Sequence, residues 1–149
     1  MSEVLVFNKK ASFNYEITER FTAGIELFGF EVKALRAKHG SLEGAYITIR
    51  GGEAFLNGAD FPAFQPANAP DDFDSKRNRK LLLTKKEIKY LASIESKKGL
   101  TIVAIAVYNN KHKLKLELGI GRGKKSFDKR ETIKKRETDR EIRRTLKYE

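Results

Sequence analysis

From Lys113 to Ile120 the chain alternates charged and apolar residues. Lys113, Lys115 and Glu117 share one side, and Leu114, Leu116, Leu118 and Ile120 the other. A period of two places one set on each face of a strand, so this segment is a strand with one buried face. The run before it, Leu100 to Tyr108, is apolar on both faces and predicts a central strand; Asn109 and Asn110 are the expected turn between the two. Upstream, Phe13, Tyr15, Ile17, Phe21, Ala23, Ile25 and Leu27 also alternate, the pattern of a half-buried strand pair, with Gly24 marking a bulge or bend. Tyr46 to Arg50 and Glu53 to Leu56 flank Gly51-Gly52, and two glycines accept the positive φ of a two-residue hairpin turn.

Two helices interrupt the strands. One is expected over Glu31 to Lys38, ending at Gly40. The second begins at Thr84, where Glu87 completes a capping box, and Gly99 stops it. Phe61 to Lys80 contains all three prolines, the acids Asp71, Asp72 and Asp74, and the cations Lys76, Arg77, Arg79 and Lys80; it reads as a long surface loop. The expected fold is mainly β. It is a small closed barrel of about six strands, of oligonucleotide-binding type, with two or three short helices and a basic C-terminal tail.

The charge is unevenly spread. The 149 residues carry a net charge of +11; residues 121–149 hold 12 Lys and Arg against 6 Asp and Glu. One-fifth of the chain therefore holds more than half the excess, and a boundary is expected near Gly119 to Gly123: a domain over 1–120 and a tail over 121–149. Gly119, Gly121 and Gly123, interleaved with Arg122, Lys124 and Lys125, read as a flexible hinge able to approach phosphates. From Asp128 onward the tail has helical character, but only Ile133, Ile142, Leu146 and Tyr148 are apolar. Ordering a residue costs about 1–2 kcal/mol, so the tail is expected to be disordered when free and helical on a phosphate-rich surface.

Such a chain is drawn to polyanions. It has no cysteine, so disulfides and thiolate metal sites are ruled out and a reducing compartment suits it. No stretch approaches the roughly 20 apolar residues of a membrane span, and the N-terminus does not resemble a signal peptide. Catalysis is not expected: His39 and His112 sit at a helix end and beside a turn, and Asp71, Asp72 and Asp74 lack the glycine and distal glutamate of a calcium loop. Nor is a metal or cofactor expected. Glu31, in Gly29 to Arg36, has two readings. It is a helix-start carboxylate favoured by the dipole, or an acceptor for RNA base or sugar donors beside Lys33 and Arg36.

Several segments in order resemble one family, the SsrA-binding proteins (SmpB) of bacterial trans-translation. They are Asn8 to Ala11 with Tyr15 to Ile17, Ala23 to Ile25, Gly29 to Arg36, Arg79 to Leu83, Glu117 to Gly119, Arg122 to Lys125, and Asp128 to Glu131. The chain departs from the usual pattern at Gly58, Asp60, Gly121 and Phe127.

The resemblance implies a barrel that binds the tRNA-like domain of transfer-messenger RNA and a tail that occupies the empty messenger path of a stalled ribosome. The RNA-binding residues would be Asn8, Lys9, Lys10, Glu31, Lys33, Arg36, Arg79 and Lys80. In the tail, Arg122, Lys124, Lys125, Phe127, Asp128, Lys129, Arg130, Lys134 and Lys135 would meet the decoding centre. Implied partners are transfer-messenger RNA, the ribosome with its 16S rRNA, and elongation factor Tu reached through the RNA, for a cytoplasmic monomer that performs no chemistry. The competing readings are a generic single-strand-binding barrel, which calls for an exposed basic aromatic sheet face, and a nuclease, which calls for clustered carboxylates or a histidine pair.

Overall fold

The computed structural model describes residues 3–65, 67 and 69–124, together with Arg130, Ile133 and Arg136. Among the described residues up to Gly123, seven strands and three helices follow in the order β1 (Glu3–Phe7), α1 (Lys9–Asn14), β2 (Tyr15–Ile25), α2 (Gly29–Arg36), β3 (Tyr46–Arg50), β4 (Glu53–Asn57), β5 (Arg79–Leu82), α3 (Lys85–Glu95), β6 (Leu100–Asn110) and β7 (Lys113–Gly123). All pairings are antiparallel. Six strands close on themselves in the order β6-β3-β4-β5-β2-β7, because β7 pairs with both β2 and β6. β1 extends the free edge of β6 from Ala106 to Asn109.

The closure is uneven. β6 and β7 pair along their whole length, from Leu100↔Arg122 to Asn110↔Lys113. β3 and β6 meet only at Tyr46↔Val103, with the Ala104 amide donating to the Ala45 carbonyl at 3.4 Å. Asn8 spans this thin seam. Its Nδ2 donates to the Leu42 and Ala104 carbonyls, both at 2.9 Å, while its Oδ1 accepts from the Ala11 amide and caps α1.

The interior is the apolar face anticipated from the alternation: Leu114, Leu116, Leu118 and Ile120 are buried with Ile102, Ala104, Leu56 and Leu81. α3 covers one end through Leu91 and Ile94. Each such side chain contributes about 1.5–3 kcal/mol. The hairpin at Gly51-Gly52 forms as expected, both glycines having positive φ. So does the capping box of α3, where Thr84 Oγ1 accepts from the Glu87 amide and Glu87 Oε1 from the Thr84 amide.

Other expectations are corrected. Phe13 lies in helix α1, and Tyr15–Ile25 is one long strand rather than a strand pair. Gly24 stays in register, and the irregularity of β2 falls between Ile17 and Glu19. The β6–β7 turn is Lys111-His112, with φ of 49° and 68°, not Asn109-Asn110, which remain paired in β6. Arg79 and Lys80 leave the surface loop to begin β5. The segment Gly119 to Gly123 is strand, not hinge, so a boundary after residue 120 falls inside β7. A Cβ on Gly119 would lie 2.8 Å from Ile17 Cγ2, and one on Gly121 2.9 Å from Tyr15 Cβ. These glycines serve close packing of β7 on β2.

Candidate nucleic-acid interface

The expected binding residues separate into buried and exposed sets. Glu31, at the start of α2, is fully buried, and so is Arg79, at the start of β5. Glu31 Oε1 accepts from the Phe28 amide at 2.8 Å and from Arg77 Nη2 at 2.6 Å. Oε2 accepts from Arg79 Nη2 at 2.6 Å and Nε at 3.0 Å, a two-pronged pair. Burial pushes the carboxyl upward, but the bonds from Arg77, the Phe28 amide and Arg79 outweigh it, holding Glu31 below the usual carboxylate range. Burial also lowers Arg79, against the pull of Glu31.

Arg79 spends its remaining donors on the loop before β5. Nη1 reaches the Ala59 and Arg77 carbonyls, and Nη2 those of Phe61 and Ser75. Its guanidinium lies over the Phe61 ring, 4.4 Å from the centroid. With both oxygens taken by protein donors, Glu31 is out of reach of RNA. The carboxylate joins α2 to β5, with no oxygen left open at the surface. Asn8 and Arg79 are likewise enclosed by protein and hold the frame.

What the pair joins is α2 to β5, and a groove lies between these elements and the β6–β7 turn. About 320 Å³ in volume, it is floored by Ile25, Leu27, Val32 and Leu114 and edged by Arg36, Lys113 and Lys115. Leu82 is 54% exposed on its wall. Gly24 makes room for it, since a Cβ there would stand 3.2 Å from Leu82 Cβ. Arg36 Nη2 donates to the His112 carbonyl at 2.9 Å and ties helix to turn. Among the described residues no carboxylate lines this groove. Apolar floor with a cationic rim suits a ribose-phosphate backbone with a base or sugar laid on the leucine. Lys113 and Lys115 were legible as outward positions of the alternation; Leu82 was not, because its exposure depends on Gly24 across the strand pair.

Lys33 is exposed on α2, and Lys9 and Lys10 on α1, where Lys10 Nζ bonds Glu43 Oε1 at 2.5 Å. Lys80 is half-exposed and pairs with Glu53 at 3.1 Å. Of the tail residues, Arg122 bonds Glu16 at 2.7 Å from the end of β7. The Lys124 amide donates to the Asn14 carbonyl at 2.8 Å, its Nζ to the Ser12 carbonyl. Arg130 is helical and exposed. Arg136 Nη2 donates to Ser12 Oγ at 3.0 Å. Lys125, Phe127, Asp128, Lys129, Lys134 and Lys135 lie outside the described residues. Among the described residues no group of three or more His, Asp or Glu could hold a metal ion, and no helix is long and apolar enough to cross a membrane.

A family profile described as "SmpB protein" matches residues 5–148. The chain belongs to the SmpB family. The SsrA-binding protein of Mesoplasma florum is 48% identical over 145 residues, 97% of each chain. That of Pseudomonas entomophila is 42% identical over 140 residues, covering 94% of this chain and 88% of the relative. A solved SmpB-family structure, described as "tmRNA-SmpB: a journey to the center of the bacterial ribosome", superposes with a TM-score of 0.68 at 37% identity. It covers 80% of this chain and 84% of that one. The SmpB fold is therefore the fold of this chain, in agreement with the mainly β barrel expected from its alternation.

Proposed function

We propose that this SmpB-family protein binds the tRNA-like domain of transfer-messenger RNA and carries it to stalled ribosomes, acting as an RNA-binding adaptor without chemistry of its own. The observation that carries the reading is the groove between α2, β5 and the Lys111-His112 turn, cationic at its rim, with the buried Glu31–Arg79 pair joining α2 to β5. Arg36, Lys113 and Lys115 would engage phosphates and Leu82 a sugar or base. Lys9, Lys10, Lys33 and Lys80 would add phosphate contacts from α1, α2 and β5, while Asn8, Glu31 and Arg79 hold these elements in place. The relatives' name, SsrA-binding protein, and the subject of the solved structure support the same partners.

The basic tail beyond β7 is assigned to the empty messenger path at the decoding centre. Arg122, Lys124, Lys125, Lys129, Arg130, Lys134 and Lys135 would meet 16S rRNA phosphates, with Phe127 available to stack and Asp128 beside it. In this reading the protein works in the cytoplasm as a monomer and would contact elongation factor Tu through the bound RNA. The test is a mobility shift with a tRNA-like transcript alongside a tagging assay on stalled ribosomes. Replacing Asp128, Lys129 and Arg130 together with alanine is expected to abolish tagging and leave RNA affinity nearly constant. Normal tagging by that variant removes the decoding role, and lost RNA affinity removes the division between barrel and tail.

A further inference from the structure

Four phenylalanines gather at the N-terminus of α2. Phe28 and Phe30 stack with ring centroids 5.4 Å apart, and Phe73, from the loop before β5, meets both edge-on at 6.5 and 4.8 Å. The Phe64 amide donates to the Phe30 carbonyl at 3.1 Å, which fixes a second stretch of that loop beside them. Phe28 is 49% exposed and Phe64 43%. A contiguous aromatic patch left open to water marks a surface for a partner. The Arg77 guanidinium lies 4.3 Å from the Phe28 centroid, so one ring of the patch already receives a cation.

The charge around these rings is opposite to that of the chain as a whole. No Lys or Arg occurs in residues 51–75, although the chain has 31. Asp71, Asp72 and Asp74 flank Phe73 and are exposed. Elsewhere on the barrel exposed or half-exposed carboxylates are paired: Glu16 with Arg122, Glu43 with Lys10, Glu95 with Arg50 and Glu117 with Arg20. The three aspartates have no ion-pair partner among the described residues. Lys76 follows them, but it is its amide that donates to Asp74 Oδ1, and Arg77 is held by Glu31.

We infer that this acidic aromatic surface docks a Lys- and Arg-rich segment of a protein partner. One of its side chains lies on the Phe28 and Phe64 rings, and its cations pair with Asp71, Asp72 and Asp74. The sign of the charge selects protein over RNA, whose phosphates would meet three unpaired carboxylates. The chain's own basic tail is engaged elsewhere, where the Lys124 amide bonds the Asn14 carbonyl and Arg136 bonds Ser12. The protein thus carries two faces of opposite sign, the cationic groove for RNA and this patch for a basic protein. The inference rests on the adaptor reading proposed above for the setting in which the partner is met.

The test uses the full chain with the photoreactive p-benzoylphenylalanine in place of Phe64. It is mixed with purified transfer-messenger RNA, stalled ribosomes and translation factors, and irradiated. Mass spectrometry is expected to map the crosslink to a Lys- and Arg-rich protein segment. Asp71→Asn, Asp72→Asn and Asp74→Asn together should lower its yield about tenfold, the loss of three exposed ion pairs, while affinity for the tRNA-like transcript stays within about twofold. Asparagine keeps the acceptor that the Lys76 amide uses, and circular dichroism checks that the fold is retained. Crosslinks to RNA, to a second copy of this chain or to a segment without cations overturn the docking surface. So do the absence of any crosslink and a yield indifferent to the asparagines. Wild-type protein that fails to bind the transcript overturns the adaptor reading instead, and a basic crosslink from the same mixture leaves the docking surface standing.

Discussion

Glu31 and Arg79, 48 residues apart in the chain, meet at 2.6 Å with both side chains fully buried. The pair connects the helix and the strand that flank the cationic groove, and through Arg79 it also holds four carbonyls of the preceding loop. Removing one partner strands the other charge in the interior. Arg79→Met or Glu31→Leu is expected to cost about 3–5 kcal/mol in urea denaturation, and the two together much less than the sum. Additive losses would show that the two residues act separately.

The same carboxyl sets an acid limit. Glu31 is held below its ordinary value, so its contribution is complete above the unfolded carboxylate range, about 4.3, and is lost as pH falls through the lower folded value. Stability followed by circular dichroism should decline more steeply below about pH 4 in the wild type than in Glu31→Gln. Parallel curves would mean that other carboxylates set the acid limb.

Gly119 is pressed between Ile17 Cγ2, the Glu19 carbonyl and Ile105 Cδ1, each within 2.9 Å of where a Cβ would stand. The carbonyl belongs to a paired strand and has little freedom to retreat. Gly119→Ala should therefore destabilise by about 1–3 kcal/mol, while Gly123→Ala, with nothing within 4 Å, should be nearly neutral. Equal thermal midpoints for the two variants would contradict the packing account.

In the groove, Lys113→Ala with Lys115→Ala should weaken binding of the tRNA-like transcript. The slope of log affinity against log salt should fall by roughly 2, about 1 for each phosphate no longer neutralised by a lysine. Leu82→Ala should weaken binding without changing that slope, because it removes apolar surface and no charge. An unchanged slope in the lysine variant would move the phosphate-binding positions elsewhere on the barrel.

The legible parts of this fold are those written in local signals. Alternation along Leu114 to Ile120, the glycine pair at 51–52 and the Thr84–Glu87 capping box each state a conformation within a few residues. β1, α1 and β5 are short, and their existence depends on partners far away: β1 on Ala106 to Asn109, α1 on the cap from Asn8, β5 on β4 and β2. Arg79 looked like one of four surface cations because nothing nearby in the chain reveals that Glu31 waits across the barrel. Glycines 119 and 121 looked like a hinge because the sequence cannot show Ile17 and Tyr15 lying against them. The cations Arg36, Lys113 and Lys115 were visible as outward residues. Their assembly around Leu82 was not, since it follows from closure of the sheet.

A barrel closed by a single register pair at one seam has a preferred place to open. Across the seam from β3 to β6 few amides are locked by main-chain partners, and Asn8 clamps the gap with its side chain from outside the ring. Amide exchange should thus be faster at seam-facing positions of β3 beyond Tyr46 than along β6 and β7. The segment that ends at Asn8 then works as a latch: a protease that removes it, Asn8 included, would convert a ring into an open sheet with an unprotected edge.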